Sequence, residues 1–337
     1  MVVLYHLDKT LSVRHFFPHA QACVDFFFML SGFVLVIAYE PRLVAGRWST
    51  QFLIERLIRL MPLILLGTLV GAISVILEHV GVTTGNRSLL LLLARGATLT
   101  PTLATDAVLY PLDPPAWSLF FELIISLAFG LFLFRASALV ILGLTALSAA
   151  LLVRVVVHDD GLRAGFSGGP YLLGGFARVS FAFLIGMVIA RQRQRAALPG
   201  VRVAGAVLFV VFLAAMSVPD NRPWTWVYDL FCDFLLFPAI IVVGLRDAPR
   251  PSLVPIYDLL GKISYPIYIL HWPMEVILRH YLGRSPGGAL RSAVYAVIAL
   301  AVTAAFAYAS LKLYDEPVRR WLRGQLRLNQ KKRNHST

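Results

Sequence analysis

Several ionisable side chains interrupt stretches that are otherwise apolar, and their types point to proton transfer and phosphate binding. His6 closes a short apolar run, Asp25 opens the next, and Glu122 is the only ionisable side chain from Ala116 to Phe134. Arg178 falls near the middle of a further run, and Asp229 and Asp233 stand i, i+4 near the start of another. A charge at bilayer depth costs several kcal/mol, so each of these groups must be compensated or used. An alcohol is a poor nucleophile near neutral pH, and imidazole is the side chain whose ordinary pKa suits a general base. His6 suits either a general base, with Asp25 or Glu122 as the carboxylate that orients its ring, or an interfacial residue at the end of a short run. Asp25 also suits helix capping, and Glu122 also suits a structural pairing with Arg178. Asp229 and Asp233 lack a third ligand at metal-binding spacing, so they are expected to contact a substrate or pair with Arg178, with no metal. His15 and His19 lie in a loop and read as solvated.

A second group of residues has a spacing suited either to phosphate binding or to anchoring at the membrane boundary. Arg56 and Arg59 are i, i+3 and share a helix face. Guanidinium forks bind phosphate bidentately, although the same residues also serve as positive-inside anchors. Ser264, Tyr268, His271 and Glu275 follow one another at spacings of 4, 3 and 4, which forms a polar stripe on one helical face. Such a stripe in a membrane helix faces the bundle interior or a wet cavity. It suits either a packing network or a site in which His271 donates to a carbonyl or handles a proton, with Tyr268 in support. Trp117 follows Pro114-Pro115, where proline fits a first helical turn and tryptophan fits a membrane interface.

The elements that must hold these residues are membrane helices. Of the 337 residues, 58% are hydrophobic and only 15% charged, and the mean hydropathy is +0.74. This composition predicts an all-α, polytopic membrane bundle. At about 20 apolar residues per crossing, spans are expected near 1–10 (shortened), 21–40, 53–79, 116–134, 137–157, 171–190, 201–218, 225–245, 264–283 and 288–313, about ten in all. Residues 88–100 are too short to cross and read as an interfacial or re-entrant piece. One set of connections carries Arg42 and Arg47, Arg135, the run Arg191 to Arg202, and Arg246, Arg250 and Lys262. The other carries Asp106, Asp113, Asp159, Asp160 and Asp220. The positive-inside rule then places both termini in the cytoplasm and the residues before Trp117 outside, in a plasma (inner) membrane.

The net charge of +13 is spread between apolar spans, which excludes a nucleic-acid reader and points to contacts with membrane lipids. Residues 1–318 form one integral-membrane domain, and 319–337 a basic cytoplasmic tail that frays at the anionic leaflet. Cys23 and Cys232 both lie in apolar stretches and read as packing residues without a disulfide.

Five stretches occur in a familiar order: Val2 to His6; Val24-Asp25-Phe26-Phe27-Phe28-Met29-Leu30-Ser31-Gly32-Phe33; Arg56 to Pro62; Pro114 to Glu122; and Ile263 to His271. Together they closely resemble the signatures of the membrane acyltransferase-3 family, the integral-membrane O-acyltransferases that modify surface polysaccharides and some macrolides. The resemblance runs from residue 2 to about Pro317. It implies transfer of an acyl group, commonly acetyl from acetyl-CoA, to a hydroxyl of a carbohydrate-like or macrolide-like acceptor at the outer face. It also implies His6, Asp25, Glu122 and His271 as catalytic positions, and Arg56 and Arg59 as the donor-binding pair. Arg178, Tyr268, Trp117 and Asp229 are the candidate substrate contacts. The competing class is a proton-coupled transporter, since buried His, Glu, Asp and Arg also mark permeation pathways. No internal repeat or matched pair of broken helices supports it.

Overall fold

The protein is described by a computed structural model, which covers residues 1–11, 17–46, 49–78, 88–104, 107–159, 161–162, 164–169, 171–195, 203–220, 224–246, 250–283 and 288–335. His15, Arg47, Asp106, Asp160 and Arg202, used in the loop and charge readings above, lie outside the described residues. In chain order the helices are α1 (Val2–Leu11), α2 (Ala22–Val44), α3 (Ser49–Glu78), α4 (Leu89–Ala97), α5 (Ala116–Leu131), α6 (Ala138–His158), α7 (Tyr171–Arg195) and α8 (Gly205–Met216). There follow α9 (Thr225–Phe231), α10 (Phe237–Gly244), α11 (Val254–Leu282), α12 (Ala289–Ser310) and α13 (Glu316–His335). A π-helical turn at Cys232–Leu236 joins α9 to α10, and another at Leu311–Asp315 joins α12 to α13. No strand occurs among the described residues.

Seven of the described helical stretches are long and apolar enough to cross a membrane. Helices α5 and α8 are apolar but shorter, with 16 and 12 residues, or about 24 and 18 Å at 1.5 Å per residue. Their outward faces match an apolar solvent. Leu139 on α6 is 82% exposed, and Val207, Phe209 and Val210 are exposed on α8. Apolar area of this extent is stable against lipid and a liability in water.

Two element boundaries differ from the sequence expectation. The span expected from 264 begins at Val254, after a 3-10 turn at Pro251–Leu253, because Tyr257, Leu259 and Leu260 extend the apolar surface. The tail expected to fray is instead helical through His335. The pairs Lys312–Glu316 (2.8 Å) and Asp315–Arg319, both i, i+4, carry the helix through the start of the basic segment.

The chain forms two compact units. One comprises Met1–Phe52, Pro101–Leu109 and Trp117–Pro255. Its centre is the contact of α2 with α7, which run parallel: Asp25 faces Arg178, and Glu40 faces Arg191 further along. Two glycines allow the backbones to meet. A side chain at Gly32 would collide with the Phe183 carbonyl, and one at Gly186 with the Met29 carbonyl. Small residues at such positions let membrane helices approach and gain dispersion contacts. At the end near Asp25 the connections tie together: Leu109 N–H donates to Phe166 O at 2.9 Å and Gly168 N–H to Ala107 O at 2.8 Å.

The other unit comprises Leu53–Thr100, Tyr110–Ala116 and Ile256–Thr337. Here α4 is capped by Ser88, whose hydroxyl accepts from Leu91 N–H at 3.2 Å, and it packs Leu92 with Ala72 and Leu112. Its nine residues agree with the expected non-crossing piece. Tyr265 on α11 donates its hydroxyl to Leu60 O on α3 at 2.6 Å.

Candidate functional site

In the first unit, Arg178 is the hub of a buried polar network. Its Nε donates to both oxygens of Asp25 (3.0 and 3.2 Å), and Nη2 donates to Oδ2 at 2.7 Å. Nη1 donates to the carbonyls of Leu162 (3.2 Å) and Ala164 (2.8 Å), and Nη2 also to Gln21 O (3.0 Å). All five guanidinium N–H groups are thereby used. The pair is sealed from outside, with Asp25 at 0% and Arg178 at 2% exposure. Trp117 lies with its ring 5.0 Å from Arg178 Cζ, a desolvated cation–π contact. Gly165, at φ +110°, passes so close to the indole that a side chain there would collide with it.

This arrangement alters the pairing expected from sequence. Arg178 is committed to Asp25 and three carbonyls, leaving no donor for Glu122 or Asp229. Glu122 is half-buried and accepts from the Ser31 hydroxyl at 3.3 Å. His6 is half-buried on α1, with its ring 5.3 Å from that of Tyr5. Tyr5 in turn accepts from the Gln21 side-chain amide.

Asp229 has a different partner, and it is a residue read as solvated. His19 is only 3% exposed. Its Nδ1 lies 2.6 Å from Asp229 Oδ1, while Asp229 Oδ2 accepts from Leu162 N–H at 3.1 Å. The short run 17–21 turns at residues 18–21 directly into α2 and packs inward, with the His19 ring 4.6 Å from that of Tyr228. Nothing local in the sequence signals this, because the partner stands 210 residues away. Asp233, within the π-helical turn, is 1% exposed, and neither carboxylate oxygen has a hydrogen bond among the described residues. π-turns of this kind often accompany functional sites.

In the second unit, Arg56 is 4% exposed whereas Arg59 is exposed. The shared face of the i, i+3 pair thus presents one guanidinium outward and one inward. On α11 the polar stripe grades from half-buried Ser264 and Tyr268 to buried His271 (0%) and Glu275 (5%). His271 Nδ1 is 2.6 Å from Tyr268 O, and a carbonyl only accepts, so Nδ1 carries the proton. Tyr268 donates its hydroxyl to Pro115 O at 3.3 Å.

A further buried carboxyl was read from sequence only as a loop charge. Asp113 is 2% exposed, and neither oxygen has a hydrogen bond among the described residues. A side chain at Gly67 of α3 would press against it. Burial pushes this carboxyl well above the ordinary aspartate range. Among the described residues, no group of three or more His, Cys, Asp or Glu side chains is placed to hold a metal. Cys23 and Cys232 are both free and buried.

The helical membrane architecture and this set of buried histidines, carboxylates and arginines can be set beside known proteins. The chain is 25% identical over 279 residues to the exopolysaccharide production protein ExoZ of Rhizobium meliloti (strain 1021), covering 80% of each chain. No solved structure matches it significantly. A family described as an acyltransferase domain matches residues 1–311, nearly the whole membrane-embedded chain. The motifs around His6, Asp25, Arg56, Glu122 and His271 all fall inside that match, and the chain belongs to the membrane acyltransferase-3 family.

Proposed function

We propose that this membrane acyltransferase moves an acyl group, with acetyl as the expected group, from acyl-CoA to a hydroxyl of an exopolysaccharide or its precursor. The observation that carries the reading is the family match over residues 1–311. The polysaccharide assignment is supported by the similarity to an exopolysaccharide production protein. The protein is placed in the plasma membrane with both termini cytoplasmic, following the distribution of its arginines.

The residues divide the work as follows. Exposed Arg59, with Arg56 beside it in the helix, suits the phosphates of CoA, which present several negative charges to guanidinium forks. His6 accepts the acceptor's hydroxyl proton as the hydroxyl oxygen bonds to the acyl carbon. The carbon–sulfur bond breaks, and CoA departs as the thiol once the proton reaches its sulfur. Glu122 is the carboxylate left to orient His6, since Asp25 is held by Arg178. His271, proton on Nδ1, keeps Nε2 as an acceptor for proton handling near the thioester. Arg178 and Trp117 hold the frame of the outer site, Tyr268 supports His271, and Asp229 serves the acceptor.

The test is equilibrium binding of acetyl-CoA to the protein in lipid nanodiscs, with dephospho-CoA and Arg59→Ala as controls. Binding that weakens in both controls supports the donor reading. Absence of binding by folded protein overturns it and leaves a transporter as the reading to pursue.

A further inference from the structure

Arginines from two distant parts of the chain converge in the second unit, and the donor reading above uses those of α3 alone. Arg59 stands exposed on α3, while Arg319 and Arg323 are i, i+4 on α13 and share one face of it. Arg323 is exposed, and the Arg319 side chain keeps 20% of its surface accessible. Arg319 lies close enough to Arg59, Arg323 and Tyr265 to interact with all three electrostatically. The Tyr265 hydroxyl donates to Leu60 O at 2.6 Å, so α3 and α11 meet at the residue that follows Arg59. Lys262 of α11 is in turn within electrostatic range of Glu316, the first residue of α13.

Like charges at i, i+4 repel, and a third guanidinium from another helix adds to that cost. Asp315, at 0% exposure, pairs with Arg319 and offsets one charge. The other charged groups nearby balance: Lys262 pairs with Asp258, Lys312 with Glu316, and Arg56 stands next to Glu55 on α3. Arg59, Arg319 and Arg323 against Asp315 leave two positive charges among the described side chains. That surplus matches a phosphate monoester, which carries about −1.5 to −2 near neutral pH and suits guanidinium forks. CoA carries one such group, the 3′-phosphate of its ribose, at the end of the molecule remote from the thioester. Arg323 stands about 6 Å further along α13 than Arg319, so the helix offers successive guanidinium groups to the extended end of a ligand.

We infer that Arg319 and Arg323 of α13 join Arg59 in a clamp for the 3′-phosphate of the acyl-CoA donor. The inference deepens the proposed function and rests on its acyl-CoA donor. A lipid headgroup presents phosphate too, and the experiment separates the two sources.

Equilibrium binding of CoA and of dephospho-CoA, which lacks the 3′-phosphate, is measured on the full chain in phosphatidylcholine nanodiscs. The parent is compared with Arg323→Gln, since Arg323 is exposed whereas Arg319→Gln would strand Asp315 in the interior. The parent should prefer CoA by about tenfold, the scale of one hydrogen bond to a charged group. Arg323→Gln should remove most of that preference and leave dephospho-CoA binding unchanged. Arg320→Gln takes the same charge from a residue whose Nε donates to Glu316 O at 3.3 Å, and it should keep the preference. Loss of the preference in both variants, or in neither, overturns the clamp. Lipid is read on the same variants by native mass spectrometry in discs containing phosphatidylglycerol. An Arg323→Gln protein that retains less of this lipid but discriminates CoA like the parent assigns the arginines to lipid phosphate and overturns the clamp. Folded parent that binds neither cofactor removes the donor reading and the clamp together, whereas equal binding of the two cofactors removes the clamp alone.

Discussion

Arg178 grips Asp25 through two guanidinium nitrogens while its remaining donors take the carbonyls of Gln21, Leu162 and Ala164, so one side chain ties α2, α7 and the 161–169 connection together. Arg191 repeats the pattern further along the same two helices. It donates to both oxygens of Glu40 (3.1 and 3.2 Å) and to the carbonyls of Ala136, Leu133 and Phe134. The two clamps fix the register of α2 against α7, and Trp117 packs on one of them.

Removing one partner of the Arg178–Asp25 clamp strands a buried charge. Asp25→Asn and Arg178→Leu should each destabilise by about 3–5 kcal/mol, the range for a broken buried pair. Arg178→Lys should fall close behind, because an ammonium cannot reproduce the planar fork. Thermal unfolding in detergent, read by loss of the monodisperse peak, measures this. A variant as stable as the parent would show the clamp to be dispensable.

Close packing of α2 on α7 makes a second prediction. Gly186→Leu forces a side chain into the Met29 carbonyl and should abolish recovery of folded protein, whereas Gly143→Ala, with nothing within 4 Å, should be neutral or slightly stabilising. Expression of both variants as green-fluorescent fusions compares them directly.

The roles given to His6 and Arg59 separate kinetically. His6→Ala should lower acyl transfer by about 10²–10⁴-fold, the usual yield of a general base, without changing acetyl-CoA binding. Arg59→Ala should weaken donor binding by about tenfold, and the difference from the parent should shrink at high salt as screening removes the charge contribution. Isothermal titration with acetyl-CoA and a transfer assay divide the two effects.

Asp113 makes stability depend on pH in a defined direction. Its folded-state pKa is raised by burial, so its contribution is fully present below the ordinary aspartate value of about 3.9 and is lost as pH rises toward the folded-state value. Asp113→Asn keeps the shape without the charge. It should flatten the decline in melting temperature between the ordinary aspartate value and the folded-state value, and an unchanged slope would show that the carboxyl does not titrate there.

The helices and the family were legible in the sequence because both are local properties. An apolar run of the right length has to satisfy its backbone internally once it is in lipid, which makes it helical wherever its neighbours lie. The motifs at His6, Asp25, Arg56, Glu122 and His271 could therefore be placed on named helices, and the stripe from Ser264 to Glu275 on one face. The ends were less legible. Val254 begins a helix expected ten residues later, and α13 continues through the basic segment to His335.

Pairing was decided by tertiary structure alone. Asp25, Glu122 and Asp229 are chemically equivalent candidates for Arg178, and only the packing of α2 on α7, set by Gly32 and Gly186, brings Asp25 within reach. His19 could be assigned to a solvated loop while its partner was unknown, since burial of a polar residue depends on a hydrogen-bonding group from a distant segment. Asp113 shows the same dependence from the other side, a loop carboxylate that becomes a buried one when α3 presents a glycine to it. Sequence determined which charges enter the bilayer, because hydropathy is summed along the chain. The fold determined which charges meet, because electrostatic partners are chosen through space at distances of about 3 Å.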